Sequence, residues 1–232
     1  MAVIDVALVT WPNHPKRIEY LKRTLDSLNA QIFADHHKWR WYCSSESERD
    51  PAHSWHGDEL AELCRARGVI LNYRHGPANL GANMNAAMRM GSGDFVFIQQ
   101  DDWVLGHPLD LSPGADLLAA HPEIDIVRYN WPGGSMSPTF AGAIDGWPLI
   151  DNRGRWPYGD DPHLRRRDFM EKWGWYYDKG LHGTASATLM GKLIAGKAKI
   201  VTADQRYYSH CGYTSANIID SRPGRGRRAE TA

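Results

Sequence analysis

The stretch Gly93-Asp94-Phe95-Val96-Phe97-Ile98-Gln99-Gln100-Asp101-Asp102-Trp103 reads as a glycine turn, a short apolar strand from Asp94 to Ile98 and two adjacent carboxylates just beyond its end. Its length and β-branched or aromatic content suit a buried strand. A carboxylate pair there costs repulsion energy if both groups ionise, so a neighbouring cation is the natural way to stabilise it. Mg²⁺ or Mn²⁺ fits, because both prefer oxygen ligands and both bridge protein carboxylates to phosphates.

Upstream, the same kind of run recurs. Val3–Val9 is a continuous apolar strand ended by Trp11-Pro12, and Ile18, Leu21, Leu25 and Leu28 keep the three-four spacing of one helical face over 17–28. Residues 39–43 and 69–73 read as two further strands. They flank a polar loop over 44–54 and a helix to about Arg67, with Asp58 in position to cap it. A turn over 76–81 and a helix over 83–90 lead back to Gly93. Strands alternating with helices predict a mostly parallel sheet, whose ligands sit beyond the carboxyl ends of the strands.

Downstream the rhythm changes. Helices are expected over 112–120, 168–175 and 185–195, and strands over 124–129 and 199–202. Residues 130–158, rich in Gly and Pro and carrying Trp131, Trp147 and Trp156, read as a long irregular loop forming one wall of a cleft, its indoles suited to stack on sugar or base rings. Arg165-Arg166-Arg167 reads either as a diphosphate or anion site or as the solvated start of a helix.

Composition narrows the function classes. The 232 residues carry 27 Lys+Arg against 27 Asp+Glu, with 42% apolar and 23% charged residues, which describes a globular protein and disfavours a dedicated nucleic-acid binder. Three widely spaced cysteines, Cys43, Cys64 and Cys211, support neither a disulfide framework nor a zinc site. No apolar run reaches the roughly 18 residues of a membrane span, and the opening lacks the marks of a secretory signal, so a cytoplasmic protein without an integral membrane segment is expected.

The order Asn79-Leu80-Gly81, Asn83, Asn85, Gly93-Asp94 and Gln100-Asp101-Asp102-Trp103 resembles the nucleotide-sugar half of family-2-type GT-A glycosyltransferases. In those enzymes a Gly-Asp strand ends in an acidic DxD-like motif, Glu-Asp-Asp-Trp in some members. Thr10–Leu28 resembles their first strand and helix, Asp161–Phe169 their acceptor-side segment, and Ser209-His210-Cys211-Gly212 the His-x-Gly near the end of the domain. The resemblance covers about residues 3–213.

The resemblance implies one Rossmann-like α/β GT-A domain over 1–220, with a donor half over 1–105, an acceptor half over 106–220 and a basic tail over 221–232. It further implies a nucleoside-diphosphate sugar as donor and Mn²⁺ or Mg²⁺ as cofactor. The acceptor would carry a hydroxyl group, on a glycan or on modified DNA. Asp102 is the leading metal ligand, Asp101 the second choice and His210 the completing one. Thr10, Ser44, Glu46, Asn79, Gly81, Asn85 and Asp101 fall to the donor site. Where inverting members carry an acidic base, this chain has His182-Gly183-Thr184, which leaves Asp168, Glu171, Asp178 and His182 as candidates, Asp178 first by position. A sugar-nucleotide nucleotidyltransferase is disfavoured because Thr10–Arg17 lacks glycine. A non-catalytic sugar or nucleotide binding module is the remaining rival.

Overall fold

The computed structural model describes residues 1–12, 15–46, 55–75, 79–129, 138–153, 161–179 and 184–211. In chain order the elements are β1 (Val3–Thr10), α1 (Pro15–Gln31), β2 (Ile32–Phe33), β3 (Lys38–Glu46), α2 (Gly57–Ala66), β4 (Ile70–Arg74), α3 (Leu80–Arg89), β5 (Phe95–Gln100), β6 (Trp103–Leu105) and β7 (Leu109–Asp110). There follow α4 (Ser112–Ala120), β8 (Ile124–Arg128), β9 (Phe140–Ile144), β10 (Trp147–Ile150), β11 (His163–Arg166), α5 (Phe169–Trp173), α6 (Thr184–Ala195), β12 (Lys199–Thr202) and β13 (Tyr208–His210).

A nine-stranded sheet in the order β4-β3-β1-β5-β11-β8-β12-β10-β9 forms the centre. β4, β3, β1 and β5 run parallel, β11 is antiparallel to both β5 and β8, and β8 and β12 are again parallel. β1 is buried on both faces, which is why it reads as an unbroken apolar run. Ile4, Val6 and Leu8 join Leu21, Leu25 and Leu28 of α1 in one core, whereas Ala7 and Val9 join Met84 and Met88 of α3 in the other.

Several expectations are corrected by tertiary context. α2 begins after His56, so Asp58 sits in its first turn and is not the cap. α3 starts at Leu80, three residues early, because the Asn79 side chain caps it by accepting from the Ala82 N–H at 3.0 Å. Within 130–158 the described residues form a hairpin and not an irregular loop: β9 and β10 pair antiparallel across Asp145-Gly146, whose φ values are 47° and 83°. Asp-Gly is the dipeptide that such a two-residue turn favours. Trp131 and Trp156 lie outside the described residues. The helix expected over 168–175 spans only Phe169–Trp173, ended by Gly174 at φ 83°. Arg165 and Arg166 of the arginine run lie in β11, between two strands of the sheet, and Arg167 follows its end.

No disulfide joins Cys43, Cys64 or Cys211. Among the described residues no helix is long and apolar enough to cross a membrane.

Candidate active site

The carboxyl ends of β1, β3 and β5 meet at a cleft of about 90 Å³ lined by Thr10, Trp11, Arg17, Glu46, Asn83 and Asp101, among others. β1 delivers Thr10, β3 delivers Ser44 and Glu46, and the tight turn after β5 holds Asp101 and Asp102. Thr24 of α1 fixes that turn by donating to the carbonyls of Asp101 at 2.9 Å and Trp103 at 3.1 Å.

The cation that the sequence required beside the carboxylate pair is present as a guanidinium. Arg17 Nη1 lies 2.8 Å from Asp101 Oδ1 and 3.4 Å from Asp102 Oδ2, and the Thr10 hydroxyl donates to Asp101 Oδ2 at 2.6 Å. Both Asp101 oxygens are thus engaged. Burial raises the Asp101 carboxyl to about 6, against the pull of Arg17. At Asp102 burial also pushes upward, but the His210 hydrogen bond and the Arg17 charge together outweigh it and hold the group below the usual carboxylate value.

His210 Nε2 stands 3.3 Å from Asp102 Oδ2, because β13 pairs with β6 in a register that sets His210 opposite Trp103. The Cys211 N–H donates to the Asp102 carbonyl at 2.8 Å and fastens the same junction. Asp102 Oδ1, by contrast, is buried with no hydrogen-bond partner. An orphaned carboxylate oxygen beside an imidazole is a donor set that suits a divalent ion.

Asp101 does not converge with Asp102 and His210 as a third ligand. Among the described residues, the His and carboxylate atoms that all lie within 4.8 Å of one another are those of His36, His37 and Asp116. There His37 Nδ1 accepts from the Ala2 N–H, which leaves the ring proton on Nε2 facing Asp116, so that group reads as a hydrogen-bonded clamp at the amino edge of the sheet.

The remaining donor-site candidates divide. Glu46 is buried and accepts from the Asn79 N–H at 3.0 Å and from Arg74, which ties the start of α3 to the end of β3. Ser44 sits behind the cleft, donating to Asn83 Oδ1 at 2.6 Å, and Asn83 Nδ2 donates to the Thr10 carbonyl at 2.9 Å. Gly81 is buried in the first turn of α3. Asn85 is absorbed structurally: it exchanges two 3.0 Å hydrogen bonds with the Tyr176 backbone. Arg17 and Asn83 are two of the cleft residues that the sequence reading did not assign to the site. Their signal was position alone, one turn into the helices that follow β1 and β4.

The base candidates also separate. β11 runs antiparallel, so its end returns to the amino edge, where the Arg167 N–H donates to the Asp94 carbonyl at 3.0 Å. Asp168 and Glu171 follow at that edge, exposed and one β5 length away from Asp102, roughly 20 Å at the usual rise per residue. After Gly174 the chain turns back. Trp173 is held by Asp125 at the start of β8 and Tyr176 by Asn85 midway along α3, and Asp178 follows two residues later, exposed. His182 lies outside the described residues.

The arginine run resolves residue by residue. Arg166 donates to the carbonyls of Leu118, Pro122 and Ile124, and Arg167 to those of Met88, Met90 and Gly93 as well as to Asp5. Arg165 is fully buried, none of its nitrogens has a hydrogen-bond partner, and its guanidinium lies 4.5 Å from the Phe169 ring centroid. Neither the anion site nor the solvated helix start describes this geometry. Because a buried cation without a carboxylate is expensive and Arg cannot shed its proton, Arg165→Met should stabilise the protein by about 1 kcal/mol or more. Chemical denaturation measures this, and a loss of stability would show that the ring contacts outweigh the desolvation.

No protein-family model and no curated protein sequence matches the chain. Its backbone does match solved structures. The S. aureus TarS fragment 1–349 in complex with UDP-GlcNAc superposes with a TM-score of 0.63 at 16% identity, over 90% of this chain and 58% of that one. The fold is GT-A. The mannosyltransferase PcManGT from Pyrobaculum calidifontis, in complex with GDP-Man and Mn²⁺, matches with a TM-score of 0.58 at 13% identity, over 90% of this chain and 57% of that one. The chain thus spans less than two thirds of these GT-A structures, and at such identities the likeness is one of fold.

Proposed function

We propose that this GT-A domain transfers a sugar from a nucleoside-diphosphate sugar to a hydroxyl acceptor, with a divalent metal at Asp102 and His210. The observation that carries this reading is the orphaned, buried Asp102 Oδ1 at the carboxyl end of β5, beside the cleft formed by β1, β3 and α3. Ligands of parallel α/β sheets bind at that edge, and the structures of similar fold include complexes with UDP-GlcNAc and with GDP-Man and Mn²⁺.

Arg17, Thr10 and Asp101 form a rigid floor that fixes the direction of the Asp102 carboxylate. Arg17 and His210 both meet Asp102 Oδ2, which turns Oδ1 to the ion. A divalent ion bound there would offset negative charge developing on the departing diphosphate. Asp178 is the candidate to take the proton of the attacking hydroxyl.

In calorimetry, Mn²⁺ should tighten UDP or GDP binding at least tenfold over EDTA, and Asp102→Ala should remove that difference. Equal affinity in Mn²⁺ and EDTA would refute the metal site. Release of labelled sugar from a donor distinguishes a transferase from a binding module.

A further inference from the structure

A hollow of about 300 Å³ lies in the second half of the domain, where the chain leaves the carboxyl ends of β8 and β12. Tyr129 follows the end of β8, Asp204 follows β12, and Trp147 opens β10, which runs antiparallel to β12 and so begins at the carboxyl edge. Tyr207 completes the aromatic lining. It precedes His210 by three residues of extended chain, which places it about 10 Å from the proposed transfer centre.

The chemistry of the lining is one-sided. Trp147 and Tyr207 supply rings, backed by the buried Tyr129, which stands edge-on to Trp147 at 6.4 Å and to Tyr207 at 6.1 Å between centroids. Asp110 and Asp204 supply carboxylates, Asp145 a third that is paired with His121, and among the described residues that line the hollow there is no Lys, Arg or His. Asp145 occupies the hairpin turn at φ 47° and is held there by His121 Nε2 at 2.7 Å. The Tyr129 hydroxyl is buried without a hydrogen-bond partner, packed where a side chain at Gly114 would intrude. Aromatic faces with acceptor-only groups fit the C–H faces and hydroxyl donors of a pyranose. The same carboxylates repel phosphate and carboxylate groups and attract an ammonium group.

We propose that this hollow holds a neutral or amino-bearing pyranose of the acceptor, next to the ring that receives the sugar. The proposal rests on the transferase reading above for the word acceptor, and on the lining alone for the ligand class. It sets a glycan against DNA, whose phosphates Asp110 and Asp204 disfavour.

Ligand-observed NMR titration of the full chain with methyl glucoside, glucosamine and glucuronate tests it, with UDP and Mn²⁺ titrated into the same samples. Methyl glucoside and glucosamine should bind, and glucuronate at least tenfold more weakly. Trp147→Ala should weaken the first two about tenfold, in keeping with the worth of a ring contact, with UDP affinity unchanged. Asp204→Asn, at an exposed rim position, should weaken glucosamine selectively. The proposal is overturned by an absence of pyranoside binding, by glucuronate binding as well as glucosamine, by indifference to both substitutions, or by an oligonucleotide that competes with the glucosides. Pyranoside binding without nucleotide binding would remove the transferase reading and leave the ring site standing.

Discussion

Asp178→Asn should lower turnover at least about a hundredfold while leaving UDP affinity within about twofold, because the substitution keeps shape but removes the basicity that an inverting transfer needs. Among the described candidates, Asp168 and Glu171 stay at the amino edge with α5, whereas the chain after Gly174 passes Asn85 at Tyr176 before it reaches Asp178. Asp168→Asn and Glu171→Gln therefore serve as controls and should leave turnover unchanged. Single-turnover kinetics on all three variants makes the comparison. If Asp178→Asn turns over normally, the transfer either retains configuration or draws its base from His182.

The second large effect concerns stability at the opposite edge. Asp5 is fully buried, yet it accepts from Arg40 Nε at 3.0 Å, from Arg167 and from the Gly93 N–H at 2.6 Å. Asp5→Ala leaves two guanidiniums and a buried amide without their acceptor. Removing one member of a buried ionic network costs about 3–5 kcal/mol, and the lower end, about 3, applies because both arginines keep some contact with water. At the size of this domain that corresponds to a melting temperature lower by roughly 6–12 °C. Calorimetric melting checks it, and a drop below about 3 °C would mean that solvent replaces the carboxylate. The same cluster gives Gly93 a physical reason. A Cβ there would stand 2.7 Å from the Val3 carbonyl and 2.9 Å from Asp5, so the Gly-Asp turn is set by close packing at the start of β5.

Both predictions depend on which edge of the sheet a residue reaches, and that is where sequence and structure part. Local periodicity was enough to place β1, α1, β3 and β5, and it placed α4 and β12 with the same bounds as the structure, because these elements carry their pattern within a dozen residues. The carboxylate pair beyond β5 and its need for a cation were equally legible, since two adjacent acids at the end of an apolar strand pose the same electrostatic problem in any fold.

The choice of cation was not legible. Arg17 lies 84 positions from Asp101 in sequence, and only the packing of α1 against the end of β5 brings them to 2.8 Å. The same holds for Asn85, which looks like a site residue until Tyr176 claims both ends of its amide. It holds for Arg165 too, which reads as surface charge until β11 is seen to lie between β5 and β8. Strand direction is a property of the assembled sheet, and the antiparallel run of β11 is what carries Asp168 away from the cleft. Sequence alone determined which chemistries the chain can perform and where along it the carboxylates fall. The tertiary structure decided which of those groups meet, because hydrogen bonds and ion pairs between residues 80 to 160 positions apart leave no local pattern to read.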